Sequence, residues 1–195
     1  MAKVTGKNTP EVTRASQLRL DDRPEEYSFA LETQQSKVGA GASTLAHVAA
    51  AVILPAGAWL PGLDDSKRLS RAARERLARE IAALAIDSAI GVAEPDEIDR
   101  LNIYQAGLLA MRRAVEALAA PVDALLVDAR RVPGVTCHQQ SVVGGDASVA
   151  AIAAASIVAK VHRDAHMAEL DRHHPGYGFA RHAGYGTREP LQALA

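Results

Sequence analysis

One cysteine, Cys137, stands in 195 residues, so an internal disulfide framework is excluded and a reducing compartment is the expected setting. A lone thiol of this kind is normally inert packing rather than a nucleophile. An excess of charge of either sign is missing too. Twenty-two basic residues face 23 acidic ones, for a formal charge of -1, so a polyanionic partner has to be met by a local basic face and not by the net field. The opening stretch MAKVTGKNTPEVTRASQLRLDDRPEEYS has no apolar run of signal-peptide type, and no segment reaches the roughly 18 uncharged apolar residues of a membrane span. A cytoplasmic monomer with no membrane partner is expected. Internal repeats and low-complexity tracts are absent as well.

What the chain does have is 48% hydrophobic residues and a length sufficient for one domain with a core. Residues 1–36 are polar, with Asp21, Asp22, Glu25 and Glu26 close together, and are expected to form an N-terminal arm. The folded body is expected to occupy residues 37–195. VAAAVILP, residues 48–55, is continuously apolar and closed by proline, as suits a strand buried on both faces. A turn is expected at Pro61–Asp65. Ser70 is placed to cap a helix through about Ala85, where Ala73, Leu77, Ile81 and Leu84 recur at helical spacing. IDSAIGVA, residues 86–93, reads as a strand. Pro95, Asp96 and Glu97 open a further helix expected to run to residue 120. Ala124–Val127 reads as a short buried strand ending at Asp128, and a weaker strand is expected near Gln140–Val143. A long helix follows from about Ser148 to Arg172, stopped by Pro175. Strands alternating with helices indicate an α/β fold.

Several polar residues in this layout suit chemistry. Asp128 lies at the carboxyl end of a buried strand, where open α/β sheets place their ligands. Asp146 follows a strand and precedes a helix, where an aspartate is also a good N-cap. Ser156, Lys160 and Asp164 recur every four residues on one side of an alanine- and valine-rich helix, and such a stripe must face water or a polar site. Two strand-end aspartates near a helical Lys160–Asp164 pair would hold Mg²⁺ or Mn²⁺ through oxygen ligands, an arrangement able to activate water in phosphodiester cleavage. His162 and His166 have the spacing of a zinc face, but no third ligand stands at a defensible distance. Arg112, Arg113, Arg130, Arg131 and Arg181 are scattered in the manner of a solvated surface.

From about Val48 onward the chain resembles ribonuclease HII, the bacterial type 2 ribonuclease H. The resemblance is carried by AAAVILP, GLDDSKRLS (62–70), AEPDEIDRLNIYQAGLLAMRRAVEAL (93–118), LLVDARRVPG (125–134), VVGGDASVAAIAAASIVAKVHRD (142–164) and LDRHHPGYGFARHAGYGT (170–187). It implies a ribonuclease H-like mixed β-sheet flanked by helices. It also implies an endonuclease that cuts the RNA strand of RNA/DNA hybrids, including at single ribonucleotides embedded in DNA, with two divalent ions held by four acids. Asp128 and Asp146 match two of those acids, Asp164 a further family acid near the site, and Lys160 a substrate-side position. Tyr185 matches a tyrosine that stacks on the sugar where RNA meets DNA.

Counting back from VAAAVIL without a gap sets the family's Asp-Glu-Val-Gly-Arg-Gly on Ser36-Lys37-Val38-Gly39-Ala40-Gly41. The valine and both glycines, Gly39 and Gly41, coincide, and glycines there allow backbone to approach a 2′-hydroxyl closely. Ser36, Lys37 and Ala40 replace the two acids and the arginine. Formal charge over the four acid positions falls from -4 to -1, and a protonated lysine has no lone pair to offer a cation. The family also continues beyond the position of Ala195, so the domain is expected to be shortened at that end. Three readings stay open: an active enzyme in which Glu32 substitutes after a change of register; a catalytically impaired protein that binds hybrid or junction duplexes, with Lys37 on a phosphate; and a defective or mis-framed gene copy.

Overall fold

Residues 28–34 (backbone), 46–175 and 177–182 are described by a computed structural model of the chain. Ser36, Lys37, Gly39, Ala40, Gly41 and Tyr185 lie outside the described residues.

The apolar run VAAAVIL forms β2 (His47–Leu54), which is buried at every position. Alternate side chains of β2 enter two different cores. Ala49, Ala51 and Ile53 join Leu125 and Val127 on one face, while Val48, Ala50, Val52 and Leu54 join Leu126 on the other. Val52, Ile53, Leu77 and Ile81 are almost wholly removed from water, each worth about 2 kcal/mol of transfer free energy.

β2 pairs antiparallel with β3 (Asp87–Ala93) on one side and with β1 (Ser28–Gln34) on the other. β1 then pairs parallel with β4 (Ala124–Asp128), and β4 parallel with β5 (His138–Val142). The strand order is β3-β2-β1-β4-β5, a mixed sheet as the resemblance implies. Residues 28–34, read from the sequence as part of a polar arm, therefore form the middle strand. Their apolar stretch, Phe29-Ala30-Leu31, is too short to announce a strand. Pairing with neighbours on both sides satisfies the backbone and fixes it as one.

Helix α1 (Arg71–Leu84) begins where expected, with Ser70 Oγ accepting from the Ala73 N–H at 3.2 Å. The helix expected over 95–120 is instead two: α2 (Pro95–Leu101) and α3 (Ile103–Glu116). Asn102 divides them at φ 75°, and its side-chain oxygen accepts from the N–H groups of Tyr104 and Gln105. Asparagine tolerates that backbone and supplies the cap in one residue. Arg113 secures the corner, donating to both carboxylate oxygens of Glu97 at 2.6 and 2.8 Å and to the Val92 carbonyl at 2.7 Å.

α3 lies on β2 and β3, approaching so closely at Gly91 that a Cβ there would run into the backbone at Ala110 and Ala114. The opposite face is covered by α5 (Ala150–His173), whose Ala151, Ala154, Ala155 and Ala159 let it lie close to β1 and β2, and α1 packs on α5. Between β5 and α5 stands one short helix, α4 (Gly145–Ser148), and α6 (Phe179–His182) follows α5. No helix among the described residues is long and apolar enough to cross a membrane.

Candidate active site

Because β1 and β4 run parallel, their carboxyl ends emerge at the same edge of the sheet. Asp128 is the last residue of β4. Leu31 of β1 pairs with Val127, so the next step of the register brings Glu32 level with Asp128. Beyond Asp128 the chain turns sharply through Ala129, at φ 52°.

Asp128 and Asp146, 18 positions apart in sequence, are linked through the backbone of Gly145. The N–H of Gly145 donates to Asp128 Oδ1 at 3.0 Å, and Asp146 is the next residue. Asp146 does not serve as the helix cap expected of it. The cap position of α4 is Gly144, in the left-handed region at φ 66°, and Asp146 sits in the first turn. Its carboxylate is engaged elsewhere: Lys67 Nζ donates to Asp146 Oδ2 at 2.9 Å across 79 residues.

Lys67 belongs to the turn that follows β2, and that turn is organised by its own acids. Asp64 Oδ1 accepts from the Asp65 N–H at 2.8 Å and from Arg68 at 3.2 Å, while Asp65 Oδ1 accepts from the Lys67 N–H at 2.9 Å. Ser66 is fully buried, and its hydroxyl receives that of Ser156 on α5 at 2.7 Å. The polar stripe of α5 thus faces inward, onto this turn and α1. Asp164 takes Lys160 Nζ on Oδ1 at 2.6 Å and Arg74 Nη2 on Oδ2 at 3.3 Å.

The carboxylates of Asp128 and Asp146 have the hard oxygen donors that Mg²⁺ and Mn²⁺ prefer. Among the described residues no three His, Cys, Asp or Glu side chains converge as a metal site, so these two carboxylates alone do not make one. His162 and His166 are exposed on α5 and gather no third ligand there. Of the scattered arginines, Arg112 pairs with Glu116, Arg113 with Glu97, and Arg130 lies over the Tyr104 ring at 4.9 Å from its centroid. Burial pushes the Cys137 thiol up, away from thiolate reactivity.

Lys67, Ser66, Arg74 and His47 were not singled out by sequence reasoning. Arg74 is one of four arginines on α1, and only the packing of α1 on α5 distinguishes it from Arg71, Arg76 and Arg79. His47 is 1% exposed at the start of β2, with both ring nitrogens unpartnered. Burial, and then the charges of Arg163 and Arg130, push its pKa down to about 4.

A sequence profile described as Ribonuclease HII matches residues 37–195. Over 147 residues the chain is 56% identical to the ribonuclease HII of Geobacillus kaustophilus, an alignment covering 75% of this chain and 56% of that protein. The chain thus spans about half the length of the curated relatives it matches. Among solved structures, the ribonuclease H2 of Pyrococcus horikoshii superposes with a TM-score of 0.69 at 19% identity, covering 86% of this chain and 84% of that one. Bst-RNase HIII in complex with Mn²⁺ superposes with a TM-score of 0.61 at 18% identity, covering 99% and 75%. These structural likenesses carry the fold. With a mixed sheet of order 3-2-1-4-5, and with that profile match and identity, the chain belongs to the ribonuclease HII family.

Proposed function

We propose that the chain is an endonuclease of ribonuclease HII type, acting on the RNA strand of RNA/DNA hybrids and at single ribonucleotides embedded in DNA. The observation that supports this reading is the hydrogen bond from the Gly145 N–H to Asp128, which ties the residue before Asp146 to the carboxyl end of β4. Asp128 and Asp146 would hold Mg²⁺ or Mn²⁺, with Glu32, level with Asp128 in the register, as a third acid. A bound ion of this kind supplies Lewis acidity and a more acidic water. Lys67 carries the positive charge next to those carboxylates, and its ammonium is placed to take a phosphate oxygen in exchange for Asp146 Oδ2. Gly39, Gly41 and Tyr185 are assigned, by resemblance, to the 2′-hydroxyl and the sugar at the junction.

A second reading is favoured by the same lysine. Lys67 already neutralises Asp146, and Lys37 stands where the family has an acid, which suits a protein that binds such duplexes without cutting them. Incubating the chain with a duplex that carries one ribonucleotide, with Mn²⁺ or Mg²⁺, separates the two. Metal-dependent nicking that disappears in Asp128→Asn is expected. Retained preferential binding with no nick under either ion would instead establish the second reading, and no nick together with equal weak affinity for the ribonucleotide duplex and for plain DNA would sink both.

A further inference from the structure

The side chains of Arg74, Asp164 and Lys160 form a nearly buried trio, 13%, 14% and 8% exposed; the resemblance sets Asp164 and Lys160 near the site, but the proposed reaction uses none of the three. Its connections lead to the Lys67 turn. Arg74 Nη1 donates to the Ser66 carbonyl at 3.1 Å and to the Leu69 carbonyl at 2.6 Å. Arg74 Nη2 reaches across to Asp164 Oδ2 at 3.3 Å, so one guanidinium spans the turn and α5. The second fastening is the Ser156–Ser66 hydroxyl pair. Lys67 lies between the two carbonyls that Arg74 holds. Its own N–H is fixed by Asp65, leaving the direction of its side chain set by the turn.

Arg74 accepts a cost in this arrangement, because its Nε is buried without a partner. The orientation of the fork follows the two carbonyls and the carboxylate. Asp164, for its part, has both oxygens committed to cations, leaving a local charge of +1 over the trio. A divalent ion would have to displace an ammonium or a guanidinium to use it.

We propose that Arg74 is a positioning residue: it holds the turn 66–69 so that Lys67 reaches Asp146, and Asp164 is its anchor on α5 and not a metal ligand. Because Lys67 is the phosphate-facing cation of the reading given above, this inference rests on that reading for its consequence, and on geometry for its content. Lysine at position 74 keeps the charge but lacks the planar fork needed to join two carbonyls and a carboxylate.

Zero-length coupling tests the geometry without nucleic acid. A water-soluble carbodiimide joins an amine to a carboxylate already in contact, forming an amide while the carbodiimide takes up the water. In the full chain, mass spectrometry is expected to find Lys67 joined to Asp146, and Lys160 joined to Asp164. Arg74→Lys and Arg74→Met are each expected to lose most of the first link, and Arg74→Lys to keep the second, which reports that α5 is intact. Asp164→Asn is expected to lose the first link while leaving Mn²⁺ affinity within about twofold. Persistence of the Lys67–Asp146 link in Arg74→Lys overturns the proposal, as does loss of Mn²⁺ binding in Asp164→Asn equal to that in Asp128→Asn.

Affinity for a ribonucleotide-containing duplex in Ca²⁺ tests the consequence. Lys67→Met and Arg74→Lys should each weaken it about tenfold, and the double variant no more than Lys67→Met alone. Multiplying losses would show that Arg74 acts independently of Lys67 and overturn the positioning role. If the parent chain binds no duplex, the functional reading fails on its own, and the coupling experiment still decides what Arg74 does.

Discussion

The N–H of Gly145 and the carboxylate of Asp128 meet at 3.0 Å, so a strand end and a helix start are built as one unit. Asp146 owes its place to that bond. The unit is also tightly packed from behind, since a Cβ on Gly145 would collide with the Ile152 side chain, coming within 3.1 Å of its Cγ2 and closer still to Cδ1. Gly145→Ala is therefore expected to push α4 off Asp128. Stability should fall by about 1–3 kcal/mol, the usual cost of overpacking, and Mn²⁺ binding should weaken in parallel. Urea denaturation and metal titration of the same sample check both. Unchanged Mn²⁺ affinity would show that the Asp128–Asp146 spacing does not depend on this contact.

Asp128→Asn separates structure from charge. The amide oxygen can still accept from Gly145, so the unit should persist with a stability loss of about 1 kcal/mol, the difference between a charged and a neutral acceptor. The loss of a ligand charge is a larger matter. Residues that merely support metal ligands cost about 10–100-fold when mutated, so metal-dependent nicking should fall by more than about 100-fold. A folded Asp128→Asn protein that still nicks at near the parent rate would remove Asp128 from the reaction.

Much of this was legible in the residues because the signals are local. β2 is a run of apolar residues ended by proline, Ser70 is a cap, Pro95 is a first-turn residue, and Asp128 follows three buried aliphatics. Other features depend on a neighbour that the sequence does not indicate. Asn102 breaks a helix whose apolar period continues on both sides of it, and only its left-handed backbone reveals the corner. β1 has three consecutive apolar residues and becomes a central strand through its pairings. Lys67 and Asp146 are 79 positions apart, and an arginine on α1 that grips a turn resembles the solvated arginines beside it until α1 is packed on α5. Spacing puts Ser156, Lys160 and Asp164 on one face. It does not say that the face meets Ser66 and Arg74 instead of water or a metal.

His47 predicts a pH dependence. Its folded pKa of about 4 lies below the ordinary histidine value, so between the two the unfolded chain binds a proton that the folded chain does not. Stability is then full above about pH 6.5 and declines as pH falls toward 4, by about 3 kcal/mol once below both values. His47→Leu keeps a similar volume against Gly107 and removes two unpartnered buried nitrogens. It should flatten the stability profile between pH 6.5 and 4 and leave stability at pH 7 unchanged or higher. Chemical denaturation at pH 7 and pH 5 measures it, and an unaltered slope in His47→Leu would assign the pH dependence to other groups.

The strongest prediction concerns the segment that resembles the family least. Ser36, Lys37 and Ala40 stand where related proteins are expected to carry Asp, Glu and Arg, while Glu32 is the acid that the β1–β4 register sets level with Asp128. These are two different ways of supplying the missing charge, and they make opposite demands on Glu32. If Glu32 completes the site, Glu32→Gln should abolish metal-dependent nicking by the parent chain. If the family positions matter, the triple variant Ser36→Asp, Lys37→Glu, Ala40→Arg should raise nicking by at least about tenfold, equivalent to 1.4 kcal/mol of barrier, because a repelling ammonium is replaced by ligands. Adding Glu32→Gln to the triple variant is the decisive step. Activity that survives it would show that residues 36 and 37 supply the working acids, whereas activity that vanishes would fix Glu32 as the working acid in both backgrounds. A triple variant that binds Mn²⁺ more tightly yet nicks no faster would locate the defect outside the acids, in the contacts that hold the duplex.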